Sequence, residues 1–151
     1  MIINEQREFG EITAVYAGQE YGGIYTCRMN LHFKGSGQSF GGLPLTKEQL
    51  DDYTKELCNV FRVDDILKLK GKNCYALRSF DEFSANIDGL ETINGVRFLH
   101  TVWKRKHFPD TKTPLEERIE LLKNNIEVYK NNISSTRAKL KNIKSRYINW
   151  E

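Results

Sequence analysis

An α+β fold is predicted: a small antiparallel β-sheet body with one packed helix, followed by a long C-terminal coiled-coil-like helix. Three patterns predict it. Residues 24–33 alternate apolar and polar side chains, Thr46 and Gln49 form a capping box ahead of an amphipathic stretch, and apolar residues recur at heptad spacing from Leu115 to Trp150.

Taken in chain order, Glu11 to Tyr16 reads as a strand, joined through a turn containing Gly18, Gly22 and Gly23 to a hairpin partner. In that partner, Tyr25, Cys27, Met29, Leu31 and Phe33 share one face, and Thr26, Arg28, Asn30 and His32 the other. The glycine-rich run GSGQSFGGLPL, residues 35–45, leads into a helix from Thr46 to about Asn59. Leu45 and Leu50 form its hydrophobic staple, and Leu50, Tyr53, Leu57 and Phe61 its buried face. A short helical turn is expected over Asp64 to Leu69, ending at Gly71, with a strand over Cys74 to Phe80. Asn94-Gly95 between Leu90–Ile93 and Val96–Trp103 is the pair that a two-residue type I′ hairpin prefers, which makes five strands in all.

Leu115, Ile119, Leu122, Ile126, Tyr129, Ile133, Thr136, Leu140, Ile143, Tyr147 and Trp150 then alternate spacings of four and three. This is a heptad seam with one polar interruption at Thr136. Thr113, Pro114 and Glu116 supply an N-cap, a first-turn proline and an early acid. A continuous helix from about 114 to 150 is expected, because the phase of the seam survives the poor helix formers Asn131, Asn132, Ser134 and Ser135. Its stripe needs a partner. The basic stretch over 130–146 repels its own copy in a parallel pair and meets Glu116, Glu117, Glu120 and Glu127 in an antiparallel one, so an antiparallel contact between two subunits is expected.

The charge distribution divides the chain in the same place. Residues 1–112 hold 15 Lys/Arg and 15 Asp/Glu, whereas 113–151 hold 8 against 5, which supplies the whole net charge of +3. An α+β ligand-binding body over 1–112 and an oligomerising helix over 113–151 follow. A total of +3 does not mark a nucleic-acid binder. The N-terminus MIINEQREFG has no basic start followed by an apolar stretch, no apolar run is long enough to span a bilayer, and a cytoplasmic location with no membrane partner is expected. Three separated cysteines, Cys27, Cys58 and Cys74, read as reduced core residues.

Two segments could hold a ligand. The glycines of 35–45 lie ahead of a helix N-terminus, where backbone N–H groups approach phosphate, with Phe40 and Gly41 beside them; the alternative is a bulged turn with Phe40 plugged into the core. Phe80, Phe83 and Asn86, with Arg97, Trp103 and Arg105 past the hairpin, offer an aromatic face, an amide and guanidinium groups, which stack a base, read its edge and neutralise a phosphate. The alternative is that Phe80 and Phe83 are core and the Lys/Arg run a solvated strand end.

Catalytic patterns are thin. His32, His100 and His107 lack metal-ligand spacing and the paired His-x-Ser/Thr signatures of a phosphodiesterase, no Gly-x-Ser-x-Gly occurs, and Asp64-Asp65 and Asp81-Glu82 read as caps. A binder without enzymatic activity, cofactor or metal is expected.

The strand-rich start with GGIYTCRMNL, then GQSFGG, a helix, the Asp65-to-Lys72 run and a closing hairpin resemble small phage proteins of the first-described Thoeris anti-defence class, over about residues 5–108. The resemblance implies a sponge that binds the cyclic ADP-ribose signal of a bacterial TIR-domain enzyme without cleaving it, and so inhibits Thoeris in the host bacterial cell. It also implies homodimers or higher homo-oligomers with pockets at subunit contacts, and some members are implicated in holding cyclic oligonucleotides. The family's pocket uses arginines, an aromatic residue and an asparagine, which this sequence offers as Arg28, Arg78, Phe80, Phe83, Asn86, Asn94, Arg97 and Arg105. The other reading is a non-enzymatic nucleic-acid-binding or protein-adaptor module. It uses Lys130, Arg137, Lys139, Lys141, Lys144 and Arg146, in a stretch over 128–150 without an acid.

Overall fold

A computed structural model describes residues 5–79, 86–110 and 112–148 of the chain. The chain divides into two units, Met1–Pro114 and Leu115–Glu151. The first is a mixed α+β body around a six-stranded sheet in the order β3-β2-β1-β4-β5-β6, every neighbouring pair antiparallel. The strands are β1 (Gln6–Gln19), β2 (Tyr25–Phe33), β3 (Ser36–Gly41), β4 (Asn73–Arg78), β5 (Gly89–Thr92) and β6 (Arg97–Leu99); the helices are α1 (Lys47–Phe61), α2 (His100–His107) and α3 (Pro114–Ile148).

The alternation in β2 holds from Cys27 onward, whereas Thr26, expected on the polar face, is buried with its hydroxyl donating to Leu43 O at 2.9 Å. Cys27, Met29, Leu31 and Phe33 are buried, and Arg28, Asn30 and His32 are exposed. Helix α1 packs Leu50, Tyr53, Leu57 and Phe61 into one core with Ile12, Leu90 and Phe98. Its capping box is complete: Gln49 N–H donates to Thr46 Oγ1 at 3.2 Å and Thr46 N–H to Gln49 Oε1 at 3.0 Å. Asp65 caps the 3-10 turn Ile66–Leu69 by accepting from Leu67 N–H at 2.9 Å, as its cap reading requires. Gly10 lies beneath the Phe33 ring, where an added Cβ would stand 2.7 Å from a ring carbon.

The structure corrects the sequence reading in three places. The glycine run is no loop: Ser36–Gly41 forms the edge strand β3, with Gly35 at φ 84° in the turn from β2. Its residues lack the β-branched side chains that mark a strand, so the pairing with β2 is a tertiary decision. The β5–β6 connection is not a two-residue type I′ turn. Thr92 pairs with Val96 around Ile93-Asn94-Gly95, Gly95 N–H donates to Thr92 O at 2.9 Å, and Gly95 alone of the three has positive φ, as in a three-residue loop closed by a left-handed glycine. Finally, the strand expected through Trp103 stops at Leu99, and His100–His107 is helical. The i, i+4 spacing brings Trp103 Nε1 and His107 Nε2 to the same Asp52 oxygen at 2.8 and 3.0 Å. A strand would hold those two residues about 13 Å apart.

The second unit is one helix of 35 residues, about 52 Å long. No hairpin breaks it, and Thr136 Oγ1 donates back to Asn132 O at 2.9 Å. Its seam residues are exposed, from 40% at Leu115 to 66% at Tyr129. The Tyr147 side chain and Trp150 lie outside what is described. No helix of the described residues is long and apolar enough to cross a membrane.

Candidate ligand-binding face

The sheet face opposite α1 carries the arginine and aromatic groups. Its makeup follows from a shift in register. Across β1–β2, Ile12 pairs with Leu31 and Ala14 with Asn30, so Thr13 is bulged out of the ladder. Were Thr13 kept in the ladder, Phe9 and Tyr16, seven positions apart, would point to opposite faces. With it bulged out, Arg7, Phe9 and Glu11 share the outer face with Ala14, Tyr16 and Gly18.

Two rows result. In the first, Tyr16, Arg28 and Gly41 are successive cross-strand partners on β1, β2 and β3. The Arg28 guanidinium stands 5.4 Å from the Tyr16 ring centroid and 3.0 Å from Glu20, and its side chain is 53% exposed. Tyr16 is 40% exposed and fixed by its hydroxyl, which donates to Gln19 O at 2.8 Å. Gly41 leaves bare backbone beside Arg28. Its φ is 87°, and an added Cβ would lie 2.4 Å from Cys27 O, so glycine is obligatory there. In the adjacent pair, Ser39 Oγ donates to Asn30 Oδ1 at 3.1 Å.

The second row is Phe9, Tyr75, Glu91 and Arg97. Arg7 lies over Tyr75 at 4.3 Å, and Phe9 meets the same ring edge-on at 5.7 Å. Its charges are spent internally. Glu91, 5% exposed, accepts from Arg7 at 2.5 Å and from Arg97 Nε at 2.6 Å, while Arg97 grips Glu5 with both terminal nitrogens at 2.8 and 2.6 Å. These carboxylates push the Arg97 guanidinium pKa further up. Nearby Leu77 is fully buried, so the outer face is most open along its β1–β3 side.

Among the expected site residues, Arg28 and Gly41 come together. Arg97 is committed to Glu5 and Glu91. From β2 to β6 there are four strand spacings, so Arg28 and Arg97 are separated by about 19 Å across the sheet, too far for one small nucleotide to engage both on one chain. Arg78 is on the core face, 8% exposed, with its guanidinium 4.9 Å above Phe33 and donating to Glu8 at 2.8 Å and Gln38 at 2.6 Å. Phe40 and Trp103 are corrections: each is 2% exposed and belongs to the core. Phe40 meets Phe98 and His100 edge-on, the plugged alternative, and Trp103 packs against Tyr53 at 4.8 Å and His107 at 4.1 Å. Asn86, Asn94 and Arg105 are exposed at three separate places, before β5, in the β5–β6 loop and on α2. Phe80 and Phe83, with Asp81 and Glu82, lie outside the described residues. At the α1 N-terminus the capping box uses the Thr46 and Gln49 N–H groups.

Sequence reasoning missed Tyr16, Arg7, Phe9 and Tyr75. Alternation would have found either half of β1 alone, but not the bulge that joins the halves on one face. Elsewhere, burial holds the thiols of Cys27 and Cys74 up at about 12 and therefore protonated, and burial, with Lys104 second, holds His100 down at about 4. Among the described residues no group of three or more His, Cys, Asp or Glu is arranged to hold a metal ion. Comparison of the chain with protein-family models, curated proteins and solved structures finds no match.

Proposed function

We propose that the protein is a non-enzymatic binder that sequesters a cyclic nucleotide signal of the cyclic ADP-ribose type, as its resemblance to Thoeris anti-defence sponges implies. The row Tyr16–Arg28–Gly41 carries the reading. An exposed ring offers a stacking platform, an exposed guanidinium that exchanges its Glu20 partner for the ligand offers a phosphate donor, and a glycine admits close approach. Protonated, buried thiols and a neutral, half-buried imidazole suit a protein that leaves its ligand intact.

One row covers only part of a cyclic dinucleotide-sized ligand, so the site is completed by a second copy. The exposed seam of α3 supplies the means: residues 115–127 hold four acids and two bases, and 128–146 six bases and no acid, so two copies pair antiparallel.

Calorimetry with cyclic ADP-ribose isomers and cyclic oligonucleotides tests the reading. Tight binding, with intact and active ligand recovered after heat denaturation of the protein, is expected. Arg28→Ala and Tyr16→Ala each weaken binding by about tenfold or more. Absence of binding to every isomer, or recovery of a cleaved product, overturns it.

A further inference from the structure

A second site is formed at the end of the sheet, apart from the Tyr16–Arg28–Gly41 row and independent of the function proposed for it. The last turn of α1, the start of β4 and the β5–β6 loop line an open pocket of about 180 Å³. Phe61, 8% exposed, and the more exposed Ile93 and Val96 give it apolar surface. Arg62, Lys72, Asn73 and Asn94, all four exposed, supply its polar lining. Among the described residues none of these four side chains has a hydrogen bond or ion pair. The hydrogen-bonding capacity of Thr92, also in the lining, is used by the loop: its hydroxyl accepts from Val96 N–H at 3.0 Å. No acid lines the pocket; Glu11, opposite Asn73 across the β1–β4 ladder, is outside the lining.

Arg62 is the singular residue. It follows α1 in the left-handed conformation, φ 56° and ψ 47°, and is the one non-glycine residue with positive φ among those described. Helices usually end this way on glycine, because a Cβ is strained there. An arginine held at this point puts a cation in the same lining as Lys72, where glycine would close the helix at lower conformational cost. Two unpaired cations and two unpaired carboxamides around apolar surface form a recognition set for an oxyanion, with five guanidinium donors, three ammonium donors and two amide groups available. The volume sets the body that carries it. A cavity of about 150 Å³ holds a benzene ring, and drug-sized ligands occupy about 300 Å³ or more.

We infer that this pocket binds a small oxyanion, carboxylate or phosphate monoester, borne on a single ring-sized apolar body. The test uses the full chain, ¹⁵N-labelled and titrated with phenyl phosphate, benzoate, inorganic phosphate and neutral benzamide, following the side-chain amides of Asn73 and Asn94. Saturable shifts with phenyl phosphate or benzoate, and weaker binding of inorganic phosphate and benzamide, are expected. The tighter of the first two assigns the anion as phosphate or carboxylate. Arg62→Gly removes the charge while supplying the residue its backbone favours, so it weakens binding by about tenfold or more with the thermal midpoint kept or raised. Lys72→Gln gives the same loss of affinity without touching the left-handed position. Absence of saturable shifts up to about 10 mM ligand, benzamide binding as tightly as benzoate, or full affinity in both variants overturns the inference.

Discussion

His100 makes folding stability depend on mild acid. Its Nδ1 lies 2.9 Å from the Tyr53 hydroxyl, and its ring meets Phe40 at 5.2 Å and Tyr53 at 5.8 Å, both edge-on. Burial chiefly, and Lys104 next, lower its pKa from 6.5 to about 4. A proton on the ring makes Nδ1 a donor to the Tyr53 oxygen, so the contact survives, and what opposes protonation is the burial of the charged ring. In the unfolded chain the imidazole takes up a proton near 6.5, whereas the folded chain refuses it until about 4. The contribution is therefore complete above the unfolded value and is lost as pH falls between the two. At about 1.4 kcal/mol per pH unit the loss approaches about 3 kcal/mol near pH 4, a large part of the roughly 5–15 kcal/mol that holds a domain together. Urea unfolding of the wild type and His100→Gln from pH 7.5 to 4, with the His100 ring signals followed by NMR, checks it. The variant starts less stable at pH 7.5 and declines less steeply. A ring that titrates near 6.5 in the folded protein, or equal slopes for both proteins, refutes the reasoning.

Other expectations follow from single contacts. Gly41→Ala combines a φ of 87° with a Cβ 2.4 Å from Cys27 O and costs about 2 kcal/mol or more by denaturant unfolding; a neutral result would contradict the backbone geometry. Glu91→Ala leaves Arg7 and Arg97 facing each other without their shared carboxylate and destabilises by about 1–3 kcal/mol, because both guanidinium groups keep access to water. Light scattering on the full chain and on residues 1–112 measures the role of α3: a dimer or larger assembly that truncation reduces is expected, and a monomeric full-length chain refutes helix pairing. Gel shifts at rising salt weigh the basic stretch 128–146 as a nucleic-acid surface; binding that survives deletion of 113–151 rules that helix out as its source.

What the sequence determines by itself is local. Thr46, Gln49, Leu45 and Leu50 mark the start of α1 within six residues, because capping box and staple join groups three and five positions apart. The alternation of β2 sets its inward face, and the seam from Leu115 carries one helical phase through Asn131–Ser135. Tertiary structure decides whatever depends on distant partners. Ser36–Gly41 becomes a strand because β2 presents an unpaired edge, and Trp103 turns inward on a helix because Asp52, 51 positions away, receives its indole N–H. Arg78 is drawn into the core face by Glu8 and Gln38, 70 and 40 positions away. The candidate face depends most on such choices. One bulged residue, Thr13, reverses the parity of β1, and only pairing with β2 shows on which side of that residue the ladder slips. Residue type tells what Tyr16 and Arg28 can do; the β1–β2 register, which pairs these residues 12 positions apart, decides that they do it side by side.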